Sequence, residues 1–194
     1  MPVKINYSKQ SDKSSTVNQV LFSDEKFNIK NFRKYLLNSE LNYISDLLKT
    51  SDLKKNLLVF EVNSKKKIVI VSIKKNLKTS EIENLGAEFY ARVNYGKNSE
   101  YLIITDSIIS KNKNFLGHFL HGVKLKSYDF NKYKTKKESR LINITVAGNK
   151  NIPPLSVRLK FKALEDGTFY ARDLVSEPGN ILHPDEYVKR ILSL

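Results

Sequence analysis

The chain has 194 residues, a length that suits one hydrophobic core with at most a small appendage. It contains no cysteine, which excludes a disulfide framework, a cysteine–zinc site and a thiol nucleophile. The 34 basic and 20 acidic residues give a formal net charge of +14, which is typical of proteins that bind nucleic acid or another acidic surface. The lysines are scattered, however, and scattered lysines on solvated faces are the commoner cause of such a charge.

The sequence contains no segment that resembles a membrane anchor or a secretion signal. Residues 1–19 are polar and lack the apolar core of a signal peptide. The longest apolar run, Ile68–Val71, is the length of a strand and much too short to span a bilayer. We therefore expect a soluble protein.

The first third of the chain is predicted to form four strands and a helix. Strands are expected at Val3–Tyr7 and Val17–Phe22, followed by a helix at Ser39–Leu48 with its leucines and isoleucine on one face. The apolar runs Leu57–Val62 and Lys67–Ile73 are joined by four polar residues, which predicts a β-hairpin.

A helix is predicted at Thr79–Tyr95, where Ser80 and Glu83 have the spacing of a capping box. Gly86 inside this helix costs about 1 kcal/mol relative to alanine, so it indicates close backbone packing against a neighbour. Three further strands and a helix led by Ser110 complete this part of the chain: the strands are Tyr101–Thr105, Val123–Tyr128 and Leu141–Ala147. Strands that alternate with helices over about 150 residues favour an α/β sandwich with a mixed sheet.

The C-terminal part is predicted to consist of two helices separated by a proline–glycine turn. Glu165–Val175 has apolar residues at helical spacing, and Pro178 should end this helix near Ser176. Gly179 and Asn180 then form a turn. A second helix is expected to begin at Pro184, because proline suits the first helical position and two carboxylates follow it in the first turn.

Two segments carry a resemblance to a known enzyme family. Residues 171–180 read Ala-Arg-Asp-Leu-Val-Ser-Glu-Pro-Gly-Asn, and residues 122–137 combine a glycine and an apolar residue with a Tyr-x-Phe-x-x-Tyr-Lys-x-Lys-Lys pattern. Both segments, in the order in which they follow each other along the chain, resemble the leucyl aminopeptidases, which are two-metal cytosolic exopeptidases. A departure from the family pattern is His183, where threonine is common in the family.

The resemblance implies a fold and a domain organisation. It implies a three-layer macro-like α/β domain at 1–150, in which helices flank a mixed sheet, then a linker and bridging helix at 151–176. Residues 177–194 would be the first turns of a catalytic domain. It also implies a homohexamer in which this region supports assembly and limits access to the active site.

The resemblance further implies a parent enzyme that holds two divalent ions, manganese or zinc, and cleaves peptides. In the family the metal ligands lie in a Lys-Gly-x-x-Phe-Asp-x-Gly-Gly segment and an Asn-Thr-Asp-Ala-Glu-Gly-Arg segment. Neither segment occurs in these 194 residues. We therefore assign no catalytic residue, no metal ligand and no cofactor to this chain, and we expect it to be inactive alone.

Other chemistry has little support in the sequence. His118 and His121 stand three apart on a predicted helix and could share a face, but most zinc sites need at least three protein ligands. A macro-like fold suggests ADP-ribose, yet the seven glycines form no phosphate-binding array. No Ser–His–Asp arrangement can be argued.

A nucleic-acid-binding module is the alternative function. The candidate contacts are four lysines, interleaved with aromatic residues that could stack on bases: Lys132, Lys134, Lys136 and Lys137. The competing interpretation is that Tyr128 and Phe130 point inward from a strand and Tyr133 packs against the following turn. Some members of the family that this chain resembles also bind DNA.

Overall fold

A computed structural model describes residues 2–8, 17–94, 99–135 and 141–193. The described chain folds into a six-stranded sheet with helices on both sides. The strands are β1 (Val3–Ser8), β2 (Asn18–Asp24), β3 (Leu57–Asn63), β4 (Lys66–Ile73), β5 (Glu100–Ile104) and β6 (Ile142–Ala147). The helices are α1 (Asn38–Thr50), α2 (Thr79–Val93), α3 (Phe115–Lys126), α4 (Leu155–Ser176) and α5 (Pro184–Leu192).

The sheet is mixed, in the order β1-β6-β5-β2-β4-β3. All neighbouring strands are parallel except β3, which forms the predicted hairpin with β4 and lies at one edge. The carboxyl ends of β2, β4, β5 and β6 therefore meet at one end of the sheet. The loops that lead from β4 to α2 and from β5 to α3 leave the sheet at this end.

The strands separate two apolar layers. Alternate strand residues such as Val20 and Phe22 pack against α2 and α3, whereas Leu21 packs towards α1 on the opposite face. A short 3-10 helix, Lys30–Lys34, adds Phe32 to the second layer. The predicted architecture, a mixed sheet flanked by helices in three layers, is confirmed.

Close contact between α2 and α3 depends on two glycines. A methyl group added at Gly86 would collide with the backbone carbonyl of Phe119, and one added at Gly122 would collide with the backbone of Glu83. The predicted reason for glycine at position 86, a tight backbone approach, is confirmed. Phe89 and Phe119 fill the space between these helices and the sheet, with ring centroids 5.6 Å apart.

The sequence prediction was wrong in three local features. The expected strand Val123–Tyr128 does not form; Val123 continues the helical spacing of Phe119 and Leu120, and α3 ends only at Lys126. The helix α2 begins at Thr79 as predicted, but its capping box is not made by Ser80 and Glu83. The N-cap is Lys78, two residues before Ser80, and the Glu81 carboxylate accepts from the Lys78 backbone N–H at 2.7 Å.

The third difference concerns α4, which was predicted from Glu165 to Val175 and extends over Leu155–Ser176. Pro154 precedes its first turn, where a fixed backbone torsion suits a helix start. The predicted end near Ser176, the turn at Gly179 and Asn180, and the start of α5 at Pro184 are confirmed.

Candidate functional site

A cluster of charged side chains surrounds Glu177, directly after α4. Its side chain is only 1 % exposed, and its carboxylate accepts hydrogen bonds from Lys132 Nζ at 2.5 Å, from the Tyr133 hydroxyl and from Arg190 Nη1 at 2.9 Å. The hydrogen bonds from Lys132, Tyr133 and Arg190 lower the pKa of the Glu177 carboxyl to about 2. Arg190 also donates from Nε to Glu186 at 3.0 Å within α5.

The Glu177 cluster joins three separate segments. Lys132 and Tyr133 come from the loop after α3, Glu177 from the end of α4, and Arg190 from α5. These contacts fix the direction in which the chain leaves α4. Sequence reasoning did not single out Glu177; its only signal was its place next to the proline that ends the helix.

The aromatic residues after α3 pack against α4. The Tyr128 ring lies 5.5 Å from that of Phe169, and its hydroxyl donates to Asp173 at 2.8 Å. The guanidinium carbon of Arg172 lies 5.4 Å from the centroid of the same ring, and Arg172 donates to the carbonyl of Leu125. Tyr128 therefore serves as a packing surface for α4, although it does so from a loop and not from the expected strand.

Two of the four candidate lysines lie in the described part of the chain, and each of them pairs with a carboxylate. Lys132 pairs with Glu177, and Lys134 pairs with Asp129 at 3.0 Å. Lys136 and Lys137 lie outside the described residues. The nucleic-acid site at these lysines stays a prediction.

The two histidines of α3 contact different carboxylates. His118 Nδ1 lies 3.1 Å from Glu83 of α2, and His121 Nδ1 lies 3.3 Å from Glu165 of α4. Both rings pack against Phe161, with centroids 4.9 and 5.0 Å from its ring. They therefore connect α3 with the helices on either side. In the described ranges, no group of three or more His, Asp or Glu side chains is placed to hold a metal ion.

The helix α4 has two different faces. Val157, Phe161 and Phe169 line the face that packs against α3 and the loop after it. A row of mostly apolar or small side chains, spaced four residues apart, is exposed to solvent along α4: Leu155, Leu159, Ala163, Gly167, Ala171 and Val175. We call these six residues the outer face of α4.

The outer face of α4 is open to solvent. None of the 22 residues of α4 is buried, and Leu155, Leu159 and Val175 are 62 %, 56 % and 87 % exposed. A shallow groove of about 650 Å³ runs along Ala163, Gly167 and Ala171. The helix α5 also has exposed apolar side chains: Tyr187, Val188, Ile191 and Leu192. Exposed apolar side chains that cluster on one side of a helix are typical of a site of protein contact.

The surroundings of Gly167, on the outer face of α4, differ from those of the glycines inside the molecule. Gly86 and Gly122 sit in helices because a neighbouring backbone leaves no room for a side chain. A methyl group at Gly167 would meet no atom within 4 Å. A glycine in the middle of a helix lowers its stability, so the packing reason for Gly167 is not found within the described chain.

Solved structures with a similar fold include aminopeptidases. A tomato leucine aminopeptidase mutant matches 98 % of this chain and 42 % of its own, with a TM-score of 0.75 and 17 % identity. The cytosol aminopeptidase from Coxiella burnetii matches 97 % of this chain and 36 % of its own, with a TM-score of 0.64 and 11 % identity. A bottromycin maturation enzyme, BotP, in complex with Mn, matches 92 % of this chain and 36 % of its own, with a TM-score of 0.64 and 14 % identity. The fold is that of a leucine aminopeptidase N-terminal domain.

Sequence comparison leads to the same family, and no family model matches the chain. A probable cytosol aminopeptidase of a Bradyrhizobium species is 36 % identical over 77 residues, which cover 38 % of this chain and 15 % of the relative. That of Nitrobacter winogradskyi is 26 % identical over 137 residues, or 64 % of this chain and 26 % of the relative. The resemblance to the leucyl aminopeptidase family is thus confirmed, and the chain spans only about a sixth to a quarter of the length of these relatives.

Among the helices that the structure describes, none combines the length and the apolar character that a bilayer crossing requires.

Proposed function

We propose that this chain is the N-terminal, non-catalytic region of a two-metal leucyl aminopeptidase, an enzyme that removes N-terminal amino acids from peptides in the cytoplasm. The fold match over 98 % of this chain, against 42 % of a leucine aminopeptidase, is the observation that carries the proposal. More than half of that enzyme has no counterpart in these 194 residues. In this proposal, residues 1–150 form the domain, 151–176 the linker and bridging helix, and 177–194 the entry into the catalytic domain.

The proposed role of the region is structural. The outer face of α4 and the apolar side of α5 would be covered by the remainder of the enzyme. Leu159, with more than half of its surface exposed, and Gly167, with open space beside it, both have a reason to be there if another element packs on this side. The Glu177 cluster then sets the angle at which the chain enters that element.

The residues of this chain do not fit the two divalent ions, Mn or Zn, that the family implies. The two ligand-bearing segments of the family do not occur in the sequence. His118 and His121 each contact one carboxylate, and these two carboxylates lie on different helices. We assign no step of peptide hydrolysis to this chain. The ions, the peptide site and the assembly into a homohexamer belong in the proposal to the complete enzyme.

The coding sequence beyond Leu194 tests the proposal. We expect an open reading frame that carries the lysine- and aspartate-containing segments of the family. A stop codon directly after Leu194 would contradict the proposed parent enzyme. In the longer polypeptide, backbone amides of α4 should exchange with deuterium more slowly than in the 194-residue chain, because the outer face is then covered; equal exchange would contradict the proposed packing.

A nucleic-acid-binding module is the second candidate, favoured by the net charge of +14. The pairing of Lys132 with Glu177 and of Lys134 with Asp129 reduces the charge that these lysines could offer to phosphates. Filter binding of the chain to DNA at two salt concentrations tests this function. A dedicated site predicts affinity that falls steeply with salt, and binding no stronger at low salt would exclude it.

A further inference from the structure

The outer face of α4 has a symmetric pattern of side-chain sizes about Gly167. Ala163 and Ala171 stand four residues to either side of Gly167, and Leu159 and Val175 stand eight residues to either side. The smallest side chain is therefore at the centre and the largest are at the ends, in both directions along the helix. A contact between two identical chains uses the same surface on both of them, so this surface must complement itself. Two such rows do so when the helices cross at Gly167 and run in opposite directions.

The geometry of helix packing suits this arrangement. Two helices that pack through rows spaced four residues apart cross at about −50°. At such a crossing the two backbones are closest in the middle and diverge towards the ends. A methyl group at Gly167 would meet no atom within 4 Å, so the middle of α4 is open to a second backbone. Leu159 and Val175, both more than half exposed, would fill the wider space towards the ends.

The charges of α4 favour an antiparallel partner. Residues 155–164 carry three basic side chains and no acidic one, whereas residues 165–176 carry three acidic side chains and one basic one. Lys162 and Asp166 pair with each other, and the remaining charges of the two halves still sum to +2 and −1. This distribution opposes the helix dipole, which favours anions at the amino end and cations at the carboxyl end. An antiparallel copy places the basic half of each helix against the acidic half of its partner.

The rest of the molecule also permits contact on this side. Residues 151–194 contain six basic and six acidic residues, so the whole net charge of +14 belongs to residues 1–150. Contact through α4 therefore joins the segments of two chains that carry no net charge. We propose that two copies of the 194-residue chain associate through their outer faces, as an antiparallel pair of α4 helices that cross at Gly167.

The proposal concerns the 194-residue chain as it stands and does not rest on the proposed function. In the proposed parent, the remainder of the enzyme would cover the same surface. A single crossing of two helices buries less than the roughly 800 Å² per partner of a standard interface, so we expect a weak dimer, with a Kd on the order of micromolar. Unfolding of the single chain is measured below that concentration.

Introduced cysteines test the arrangement, because the chain has none of its own. A residue at the crossing meets its own copy, so Gly167→Cys should form a disulfide-linked dimer on oxidation. The control is Lys162→Cys, on the same helix but outside the outer face, which should link much more slowly. A mixture of Leu159→Cys and Val175→Cys chains tests the direction. Antiparallel helices predict that the two variants link to each other, whereas parallel helices predict that each links to itself.

Sedimentation equilibrium measures the association without a covalent link. Gly167→Leu should raise the Kd by at least about tenfold, because a large side chain at the crossing keeps the backbones apart. Lys162→Leu, which adds the same side chain outside the outer face, should change the Kd by less than about twofold. Thermal melts verify that both variants fold.

Three results would overturn the proposal. The first is a chain that stays monomeric at about 1 mM, far above the expected Kd. The others are Gly167→Cys linking no faster than Lys162→Cys, and a mixture of Leu159→Cys and Val175→Cys that gives only self-linked dimers. Because these experiments use the 194-residue chain alone, such results leave the proposed parent enzyme unaffected.

Discussion

Gly86 of α2 and Gly122 of α3 bring two helix backbones into direct contact, each helix occupying the space that a side chain on the other would need. Gly167 of α4 has no such neighbour, and a methyl group there would meet nothing within 4 Å. Packing within the described chain therefore requires glycine at positions 86 and 122 but not at position 167.

This contrast predicts opposite effects of one substitution. Gly86→Ala should lower the free energy of unfolding by about 1–3 kcal/mol, because the methyl group forces the two helices apart. Gly167→Ala should raise it by about 0.5–1 kcal/mol in the 194-residue chain, because alanine favours the helix and meets open space. Urea unfolding of both variants measures the difference. Equal destabilisation by the two substitutions would show that α4 is not free on its outer face.

A buried ion pair under α1 makes a second prediction. Lys66 Nζ lies 2.7 Å from Glu40, and both side chains are less than a tenth exposed. Lys66→Met should lower the free energy of unfolding by about 3–5 kcal/mol, because it leaves a buried carboxylate without its partner.

The control is the double variant that also carries Glu40→Gln. It removes the charge while it keeps an oxygen that can accept from the Leu37 backbone N–H, as Glu40 does. We expect the double variant to be more stable than Lys66→Met alone. If the double variant is the less stable of the two, the unpaired buried charge of Glu40 is not the cause of the instability of Lys66→Met.

The Glu177 cluster predicts a dependence of stability on pH. Because the folded state lowers the pKa of the Glu177 carboxyl from about 4.5 to about 2, its contribution is fully present above about pH 4.5 and is lost as the pH falls towards 2. Glu177→Gln should therefore destabilise the chain at neutral pH, and the difference from the unmodified chain should shrink in acid. Urea midpoints at pH 7 and at about pH 3 measure both differences.

Glu25→Gln is the matched control for this experiment. Glu25 is exposed and forms no ion pair or hydrogen bond among the residues the structure describes, so its substitution should change stability little at either pH. A Glu177→Gln effect that grows as the pH falls would have the wrong sign for a carboxylate stabilised in its ionised form.

The outer face of α4 predicts a substitution that affects association without affecting folding. Leu159→Glu should change the free energy of unfolding of the 194-residue chain by no more than about 0.5 kcal/mol, because the side chain is already exposed. In a polypeptide that continues into the catalytic region it should loosen the packing on α4, seen as faster amide exchange. Lys160→Glu, on the same helix but outside the outer face, is the control. Slow exchange that persists in Leu159→Glu would place the contact elsewhere.

The strands and helices of this fold could be predicted from the sequence wherever the spacing of the apolar residues matched only one type of secondary structure. The hairpin of β3 and β4 has two apolar runs and a polar turn, and α2 repeats its apolar residues at helical spacing. The segment Val123–Tyr128 was mistaken for a strand because apolar residues alternate with lysines there. The preceding turn of helix, which carries Phe119 and Leu120, determines the structure instead.

The candidate site could not be predicted, because it depends on contacts between distant parts of the chain. Lys132, Glu177 and Arg190 come together only when α4 has packed on α3 and the chain has turned back into α5. The order of the strands, β1-β6-β5-β2-β4-β3, is likewise a property of the topology, which local patterns do not determine. In contrast, the family resemblance and the missing metal-ligand segments were already evident in the sequence.

The central claim is that these 194 residues supply scaffold and not the hydrolytic centre of an aminopeptidase. The most direct measurement is hydrolysis of leucine p-nitroanilide with added Mn²⁺, by the purified chain and by the polypeptide that the coding sequence continues to encode. We expect turnover by the longer polypeptide only. Turnover by the 194-residue chain alone would contradict the claim, since it would locate the catalytic groups within residues that we assign to structure.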